Sequence, residues 1–181
     1  IGCTHNGRPL GSFGDAEVFS FHATKVVNSL EGRAILTHDA ALADRLRKMR
    51  NFGFAGFDHV VSLGTNAKMS EFNAAVGLGS LEGFADFVAV NQRNLDAYRA
   101  GLSGVPGLNL IRYDEREANN YQYAIVEVDP ACPFTRDELV RVLTAENVIA
   151  RRYFFPGCHR MEPYRTRYPF WDATLPATNR L

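Results

Sequence analysis

The sequence has few cysteines, no excess of either charge and no long apolar run, and each absence excludes a class of protein. Cys3, Cys132 and Cys158 are far apart and odd in number, which argues against a disulfide framework and favours a reducing compartment, by default the cytoplasm. Basic and acidic residues number 20 each, so nothing favours binding to nucleic acid or to an anionic membrane. No window approaches the apolar length of a membrane span, and no basic-then-apolar leader opens the chain.

What the sequence does contain is the mixture of residues that a globular protein needs. Its 181 residues are 46% hydrophobic and 22% charged, enough for one sizeable core or two small ones. The chain begins at Ile1 without a methionine and reaches Leu181 with no terminating signal, so we expect a piece of a longer chain. The cysteines and histidines lack the paired short spacings of a structural zinc site, so we expect no metal.

Two short strands and a helix open the predicted order of elements. Glu17 to Phe21 and Ala34 to Thr37 are typical of strands, and Asp39 is a predicted N-cap. The helix after it would place three apolar residues on one side: Leu42, Leu46 and Met49. Residues 51–69, rich in glycine and phenylalanine, have no period and predict a long loop.

Helices are predicted next, followed by the edge of a domain. Ser70 is a predicted N-cap, and helical patterns interrupted by glycines continue as far as Ala100. Three glycines and a proline then break the pattern in GLSGVPGLNL, residues 101–110, as expected of a linker. The sequence therefore predicts an α/β domain over residues 1–103 and part of a smaller α+β domain over residues 104–181.

The smaller predicted domain mixes strands with one long helix. Leu108 to Arg112, Gln122 to Val128 and Ala150 to Phe154 are predicted strands. The motif TRDE at Thr135–Glu138 is a capping box, which predicts a helix that begins there and continues to Glu146.

A lysine closely follows the first predicted strand, in the segment SFHATK at residues 20–25. A lysine near a strand end is most often a solvated residue whose stem covers the surface. Here Ser20 and His22 place polar groups beside Phe21, where packed interior is expected, and this pattern is typical of a functional site. A lysine that attacks a carbonyl must be unprotonated, which partial burial among polar groups favours. The residues alone favour Lys25 as a nucleophile and leave a solvated surface lysine as the alternative.

Several segments together resemble one enzyme family. GSFGDAEVFSFHATKVVNSLEGRAILTHD, residues 11–39, is similar to the cofactor-lysine segment of the DegT/StrS-type sugar aminotransferases, which use pyridoxal phosphate. Later landmarks of that family have similar segments here, in the same order: NFGF at 51–54, GTNAKMSEFNAAVGLGSLE at 64–82, RRYFFPGCH at 151–159 and LPAT at 175–178. The resemblance implies a fold-type-I transferase segment, the end of a large α/β domain followed by part of a small α+β domain.

The resemblance also implies roles for individual residues. Lys25 matches the lysine that holds pyridoxal phosphate and then moves a proton between substrate and cofactor carbons. Ser20 matches a serine that binds the cofactor phosphate, and a short donor at a strand end suits an anion. Asn66 and Lys68 resemble a polar pair that reaches a phosphate across a dimer interface, which implies a homodimer with a shared active site. Without the resemblance, Asn66 after Gly64 would be an ordinary turn residue.

Four further residues are candidates for contact with the substrate. His22 and Asn28 flank the lysine, and Tyr153 and His159 match a region of the small domain that lies near the substrate sugar in the family. A histidine after Pro-Gly is more often a loop residue that makes one backbone bond, and that interpretation of His159 stays open.

The sequence departs from the family pattern in two places. Arg33 stands where the family usually has the second glycine of Glu-Gly-Gly, which would strain the backbone if a positive φ were needed there and would be tolerated if the chain were extended. The aspartate that pairs with the pyridine nitrogen would lie upstream of Ile1, so we expect this chain alone to be inactive.

The resemblance thus implies an aminotransferase that moves an amino group, with glutamate as donor, to a keto carbon of a nucleotide-linked deoxysugar, of the dTDP-linked kind. A sister group of the family carries histidine in place of the lysine and dehydrates its substrate, and Lys25 argues against that chemistry. The alternative is a non-catalytic module of the same fold that only dimerises or regulates.

Overall fold

The computed structural model describes residues 1–180, which form two compact units. The first unit is Ile1–Glu127, and the second begins at Val128. The predicted domain boundary after residue 103 refers to the two domains of the complete protein, and it stays a prediction. No helix in the described part of the chain is long and apolar enough to cross a membrane.

Four short strands form two antiparallel pairs in the first part of the chain. Strands β1 (Thr4–His5) and β2 (Arg8–Pro9) make a small hairpin. Strands β3 (Glu17–Ser20) and β4 (Arg33–Leu36) pair along their whole length. The predicted strands of this region are therefore confirmed to within one residue at each end.

The register of β3 and β4 divides their side chains between two faces. Val18 lies opposite Ile35, and Ser20 lies opposite Arg33, so these four share one face, and all four are exposed. Side chains alternate along a strand, so Phe19 and its partner Ala34 lie on the other face of the pair, where both are half-buried. Ser20 ends β3 on the open face of the pair.

Three helices follow, and their predicted starts are confirmed where a cap was identified. Helix α1 (Ala40–Met49) begins after Asp39, whose carboxylate accepts two backbone N–H groups of its first turn. Helix α2 (Glu71–Glu82) begins after Ser70, whose hydroxyl accepts the Asn73 N–H. Helix α3 (Phe84–Leu102) follows directly. A side chain that accepts these otherwise unpaired amides fixes where a helix starts.

The second half of the chain contains short elements. Strands β5 (Leu108–Leu110) and β6 (Val126–Val128) form a two-stranded sheet, shorter than predicted at both strands. Helix α4 (Arg136–Ala145) begins with the predicted capping box, in which Thr135 and Glu138 exchange bonds. A 3₁₀ turn and three helices of four or five residues complete the second unit: Cys158–Arg160, α5 (Tyr164–Arg167), α6 (Trp171–Thr174) and α7 (Pro176–Arg180).

The predicted strand at Ala150 to Phe154 is wrong, because the structure has no strand over these described residues. The rings of Tyr153 and Phe154 stack with centroids 3.9 Å apart. Successive side chains of a strand point to opposite faces, so two stacked neighbours are incompatible with one. The guanidinium of Arg152 lies 4.8 Å from the Phe155 ring, which adds to this local clustering.

Few side chains are buried in the described residues. Val27 and Leu95 are the buried hydrophobic residues and Ser29 the buried polar one. Large apolar side chains are exposed on the long loop and on α2, among them Phe57, Leu63, Phe72 and Leu78. The best-packed region is therefore the turn that carries Val27 and Ser29, which is also the turn that carries Lys25.

Candidate functional site

Lys25 lies in the turn that joins β3 to β4, and this turn has its own hydrogen bonds. The Phe21 N–H donates to the Gly32 carbonyl, which continues the strand pairing by one step, and the Ser29 N–H donates to the Phe21 carbonyl. The Lys25 N–H donates to the His22 carbonyl at 2.9 Å. Lys25 is half-buried, so the structure places its stem against protein rather than leaving the residue fully solvated.

The side chain of Gln122 forms a bracket around Lys25, because it binds the peptide groups on both sides of that residue. The amide nitrogen of Gln122 donates to the Thr24 carbonyl at 2.8 Å, and its amide oxygen accepts the Val26 N–H at 3.3 Å. A primary amide can do both because it carries a donor and an acceptor. Gln122 has no local signal in the sequence, because its partners Thr24 and Val26 lie 98 and 96 positions away.

Helix α2 anchors the other end of the same turn. The Asn28 N–H donates to the Ser80 hydroxyl at 3.1 Å, and the side-chain amide of Asn73 donates to the Glu31 carbonyl at 2.7 Å. Ser29 is 1% exposed, and its hydroxyl donates to the Glu31 carbonyl at 2.9 Å. The turn is therefore held to α2 by polar contacts at two points, and Gln122 holds it at the peptide groups on both sides of Lys25.

His22 links Ser20 to the lysine. The His22 N–H donates to the Ser20 hydroxyl oxygen at 3.4 Å, while the His22 carbonyl accepts the Lys25 N–H. The Ser20 hydroxyl thus accepts one bond and keeps its own proton for another acceptor. The structure brings Ser20, His22 and Lys25 into one hydrogen-bonded segment. Whether the lysine amine and the serine hydroxyl face one cavity stays a prediction.

The ring of His22 is oriented by two neighbours. Its Nδ1 accepts the Thr24 N–H at 3.2 Å, which leaves Nε2 to carry the proton of the neutral ring. Nε2 lies 3.6 Å from a Glu31 carboxylate oxygen. This separation is too long for a hydrogen bond, so the two side chains are only neighbours, and the histidine is exposed enough to meet a ligand.

The side chain of Asn28 is used inside the turn. Its amide nitrogen donates to the Lys25 carbonyl at 3.4 Å, and its oxygen accepts the Leu30 N–H at 3.4 Å. Both bonds are long, and they favour a role for Asn28 in shaping the turn. Contact between Asn28 and a substrate stays a prediction.

Asn66 and Lys68 form a pair on the long loop. The Lys68 amine donates to the Asn66 side-chain oxygen at 2.6 Å and lies 4.3 Å from the centre of the Phe52 ring. An ammonium group can only donate, so the side-chain oxygen of Asn66 faces the Lys68 amine and the NH₂ group of Asn66 points away from that amine. The pair therefore offers an ammonium charge and an amide donor, which together suit an anion.

This loop is irregular, as predicted, but its backbone is fixed to the end of α1. The Thr65 N–H donates to the Met49 carbonyl at 2.8 Å, and the Ala67 N–H donates to the Arg50 carbonyl at 2.9 Å. Gly53 has φ +82°, and a Cβ there would lie only 1.8 Å from the Ser62 carbonyl oxygen, so only glycine fits. Asn66 and Lys68 are thus presented by a loop with a defined path.

His159 lies in a polar cluster of the second unit. Its side chain is 8% exposed, with Nε2 2.8 Å from the Asn179 side-chain oxygen and 3.5 Å from an Asp172 carboxylate oxygen. Arg160 also binds Asp172, and this hydrogen bond, followed by the charges of Arg160 and His159, lowers the pKa of Asp172. These contacts favour a structural role for His159. Its contact with a substrate, like that of the exposed Tyr153, stays a prediction.

The described residues contain no group of three or more histidine, cysteine or acidic side chains placed to hold a metal ion. Cys158 is exposed, and Cys3 and Cys132 are half-buried, all three as free thiols.

Comparison with known proteins places these features in context. The sequence matches the family described as DegT/DnrJ/EryC1/StrS aminotransferases over residues 1–181. It is 37% identical over 152 residues to the dTDP-4-amino-4,6-dideoxy-D-glucose transaminase of Shigella dysenteriae, covering 83% of this chain and 41% of that protein. It is 30% identical over 197 residues to the UDP-4-amino-4-deoxy-L-arabinose–oxoglutarate aminotransferase of Shewanella sediminis, covering 99% of this chain and 50% of that protein.

The fold has close counterparts among solved structures. DesI, crystallised in the presence of its TDP-sugar product, superposes with a TM-score of 0.83 at 52% identity, over 90% of this chain and 42% of that chain. This likeness confirms the predicted fold class, a segment of a fold-type-I transferase. The chain spans half or less of the length of the relatives it matches.

Proposed function

Because the chain belongs to the DegT/DnrJ/EryC1/StrS aminotransferase family, we propose that it is part of a pyridoxal-phosphate-dependent enzyme that aminates a nucleotide-linked keto-deoxysugar. Two of the similar proteins are named for TDP- or dTDP-linked sugars, which supports a substrate of that kind. A third is named for oxoglutarate, the keto acid that corresponds to glutamate, which supports glutamate as the amino donor. The observation that carries the proposal is the position of Lys25 in an anchored turn next to Ser20.

The residues of the turn and the long loop fit pyridoxal phosphate. Its aldehyde needs an amine that is held in place, and Lys25 is half-buried in a turn that Gln122 and α2 both hold by hydrogen bonds. Its phosphate needs hydrogen-bond donors, and the Ser20 hydroxyl has a free proton for this purpose. Asn66 and Lys68 add an amide donor and a cation.

The cofactor and Lys25 divide the chemistry between them. When bound, the cofactor ring takes up the electron pair that remains after a proton leaves the amino-bearing carbon. Lys25 would hold the cofactor before the amino donor arrives, and its amine, once free, would carry the proton from one carbon to the other. The bonds that hold the turn would limit the positions that this amine can take, which would favour transfer of the proton between the two carbons.

The active site of the proposed enzyme is shared between two subunits of a homodimer. Asn66 and Lys68 of one subunit meet the phosphate held by Ser20 of the other. The support is chemical, because both groups offer donors to an anion and lie in a loop with a defined backbone. His22, whose side chain is exposed, completes the proposal as a contact to the sugar nucleotide, and the enzyme acts in the cytoplasm.

The proposal is tested on the complete polypeptide that carries this chain. With pyridoxal phosphate the purified protein should show a visible absorption band, and borohydride should bleach it and leave the cofactor mass on the peptide that contains Lys25. Replacing Lys25→Ala should abolish the band and the adduct. The control Lys48→Ala should keep both, since Lys48 pairs with Asp44 on the surface of α1.

Turnover is measured by the oxoglutarate formed from glutamate with a dTDP-linked 4-keto-6-deoxysugar. A protein with neither band nor turnover would contradict the proposal and favour a non-catalytic module of the same fold. A band without turnover on nucleotide sugars would leave the cofactor assignment standing and overturn the substrate class.

A further inference from the structure

The pairing of β3 and β4 brings Arg33 next to Ser20. These residues are direct partners in the antiparallel register, so their side chains share one face. The next bond along the ladder runs from the Phe21 N–H to the Gly32 carbonyl, between the residues that follow Ser20 and precede Arg33. That pattern makes Ser20 and Arg33 a non-hydrogen-bonded pair, the class in which the Cα atoms approach to about 4.5 Å and the side chains lie closest.

Arg33 is accommodated without backbone strain. It opens β4, its φ is not positive, and its side chain is exposed. The position that does need glycine is the one before it, because a Cβ on Gly32 would lie 2.4 Å from the Met69 methyl and 2.7 Å from the Ser29 hydroxyl. The structure therefore answers the question that the sequence raised about Arg33, in favour of an extended, exposed arginine.

The guanidinium of Arg33 has no partner among residues 1–180. No hydrogen bond, ion pair or ring contact involves its side chain in that part of the chain. The nearest carboxylate along the sequence, Glu31, is turned toward His22. An unpaired cation therefore stands on the same face as a serine hydroxyl whose proton is free to bind an acceptor.

We propose that Arg33 and Ser20 form a joint anion site that binds the phosphate group of the cofactor, with the arginine as an added cationic contact. This inference extends the function proposed above and depends on it. A guanidinium presents several N–H groups in one plane and matches a phosphate in paired hydrogen bonds, whereas serine contributes a single neutral donor. Arg33 therefore contributes more than Ser20 to the retention of the cofactor.

The test compares two aldehydes on the complete polypeptide after removal of its cofactor. Pyridoxal phosphate and pyridoxal carry the same aldehyde and ring, and only the first has a phosphate. Their dissociation constants are measured from the visible band for the wild type and for Arg33→Ala, Arg33→Gln, Arg33→Lys and Ser20→Ala. The matched control is Arg45→Ala, an exposed arginine of α1 for which the described residues likewise provide no partner.

Arg33→Ala should raise the dissociation constant of pyridoxal phosphate roughly ten- to a hundredfold, the usual effect of losing charge-assisted hydrogen bonds, and leave that of pyridoxal unchanged. Arg33→Lys should fall between wild type and alanine, because it keeps the charge and loses the paired geometry. Inorganic phosphate should compete with pyridoxal phosphate for the wild type and less well for Arg33→Ala.

Other outcomes overturn the inference. Equal weakening of both aldehydes would show that Arg33 only supports the fold, and unchanged binding of both would show that it faces elsewhere. If Arg33→Ala failed to fold, Arg33→Gln, which keeps the length and polarity of the side chain, would decide in the same way. If the wild type bound neither aldehyde, the proposed function itself would fail, whereas a normal wild-type band with an unaffected Arg33→Ala variant rejects this inference alone.

Discussion

At the scale of single residues, the position of Lys25 is set by Gln122, which bonds the peptide groups on both sides of it. A reactive amine gains rate from being held within reach of its target, so a residue that fixes the backbone beside it acts on the rate without touching the substrate. Gln122 is such a positioning residue.

Replacing Gln122→Ala should lower the single-turnover rate roughly tenfold while the KM for glutamate changes little, because the loosened turn loses positioning rather than binding. Hydrogen exchange at the Val26 amide should become faster, since that N–H loses its acceptor. Gln92→Ala, on the exposed side of α3, is the control. Unchanged exchange at Val26 would show that the bracket is not formed in solution.

The side chain of Glu117 stabilises the fold by binding the β1–β2 hairpin to the rest of the first unit. Its carboxylate accepts a bond from the Thr4 hydroxyl and bonds from the Gly7 N–H. These bonds, the Thr4 bond first, lower the pKa of Glu117 below its ordinary value of 4.5. The carboxylate therefore adds stability that is complete above the ordinary pKa and is lost as the pH falls through the lowered value.

Glu117→Gln should therefore reduce the denaturant midpoint at neutral pH, and the difference from wild type should shrink below pH ~4 as the wild-type carboxylate is protonated. Equilibrium unfolding at the two pH values measures it. Asp58→Asn, which removes an exposed acid of the long loop, is the comparison and should show no such pH-dependent loss. A difference that stayed constant across this range would contradict the role of the charge.

At the scale of elements, helix α2 packs so closely against the turn that carries Lys25 that a side chain at position 77 would crowd the turn. A Cβ on Gly77 would lie 3.2 Å from the Cβ of the buried Ser29, whereas a Cβ on Gly79 would meet nothing within 4 Å. The bonds from Asn73 and Ser80 to the turn lie on the same helix. A change at Gly77 therefore acts on the lysine through the helix that supports it.

Gly77→Val should destabilise the protein by about 1–3 kcal/mol, the usual cost of an overpacked contact, and should weaken pyridoxal phosphate binding as the turn is pushed away. Gly79→Val has the same effect on helix propensity and no steric conflict, so the difference between the two variants isolates the contact. Chemical denaturation and the visible band report the two effects. Equal behaviour of the two variants would show that α2 and the turn are not in tight contact.

Local signals predicted the starts of the elements and missed what holds them together. Asp39, Ser70 and the Thr135–Glu138 box gave correct helix starts, because a cap acts on amides two or three positions away. The predicted Ala150 to Phe154 strand was wrong because residue types alone do not reveal that the neighbouring rings of Tyr153 and Phe154 stack. Gln122 could not be found for a different reason, because its partners Thr24 and Val26 are distant along the chain.

At the scale of the whole molecule, the proposed sharing of the active site between two subunits predicts that two defective subunits can repair each other. A Lys25→Ala subunit still supplies Asn66 and Lys68, and a subunit with Asn66→Ala and Lys68→Ala still supplies Lys25. In a two-fold dimer that contains one of each, one site combines both defects and the other has neither.

Random mixing of the two inactive proteins should therefore restore about a quarter of the wild-type sites, because half of the dimers are mixed and each holds one intact site. The measurement is transaminase activity after the subunits have been dissociated and reassociated together. Subunits that each carry all three substitutions form the control and should stay inactive. No recovery from dimers proved to be mixed would place Lys25, Asn66 and Lys68 of a single subunit in the same site.

The apolar side chains exposed on the long loop and on α2 have a consequence for any experiment that isolates residues 1–181. Phe57 is 102% and Leu63 94% exposed, and Phe72 and Leu78 add to the same kind of surface. Large apolar side chains exposed to this extent recruit chaperones and drive aggregation unless another part of the protein covers them. Produced alone, residues 1–181 should brighten an environment-sensitive dye and precipitate on warming, and co-expression with the remainder of the polypeptide should suppress both effects.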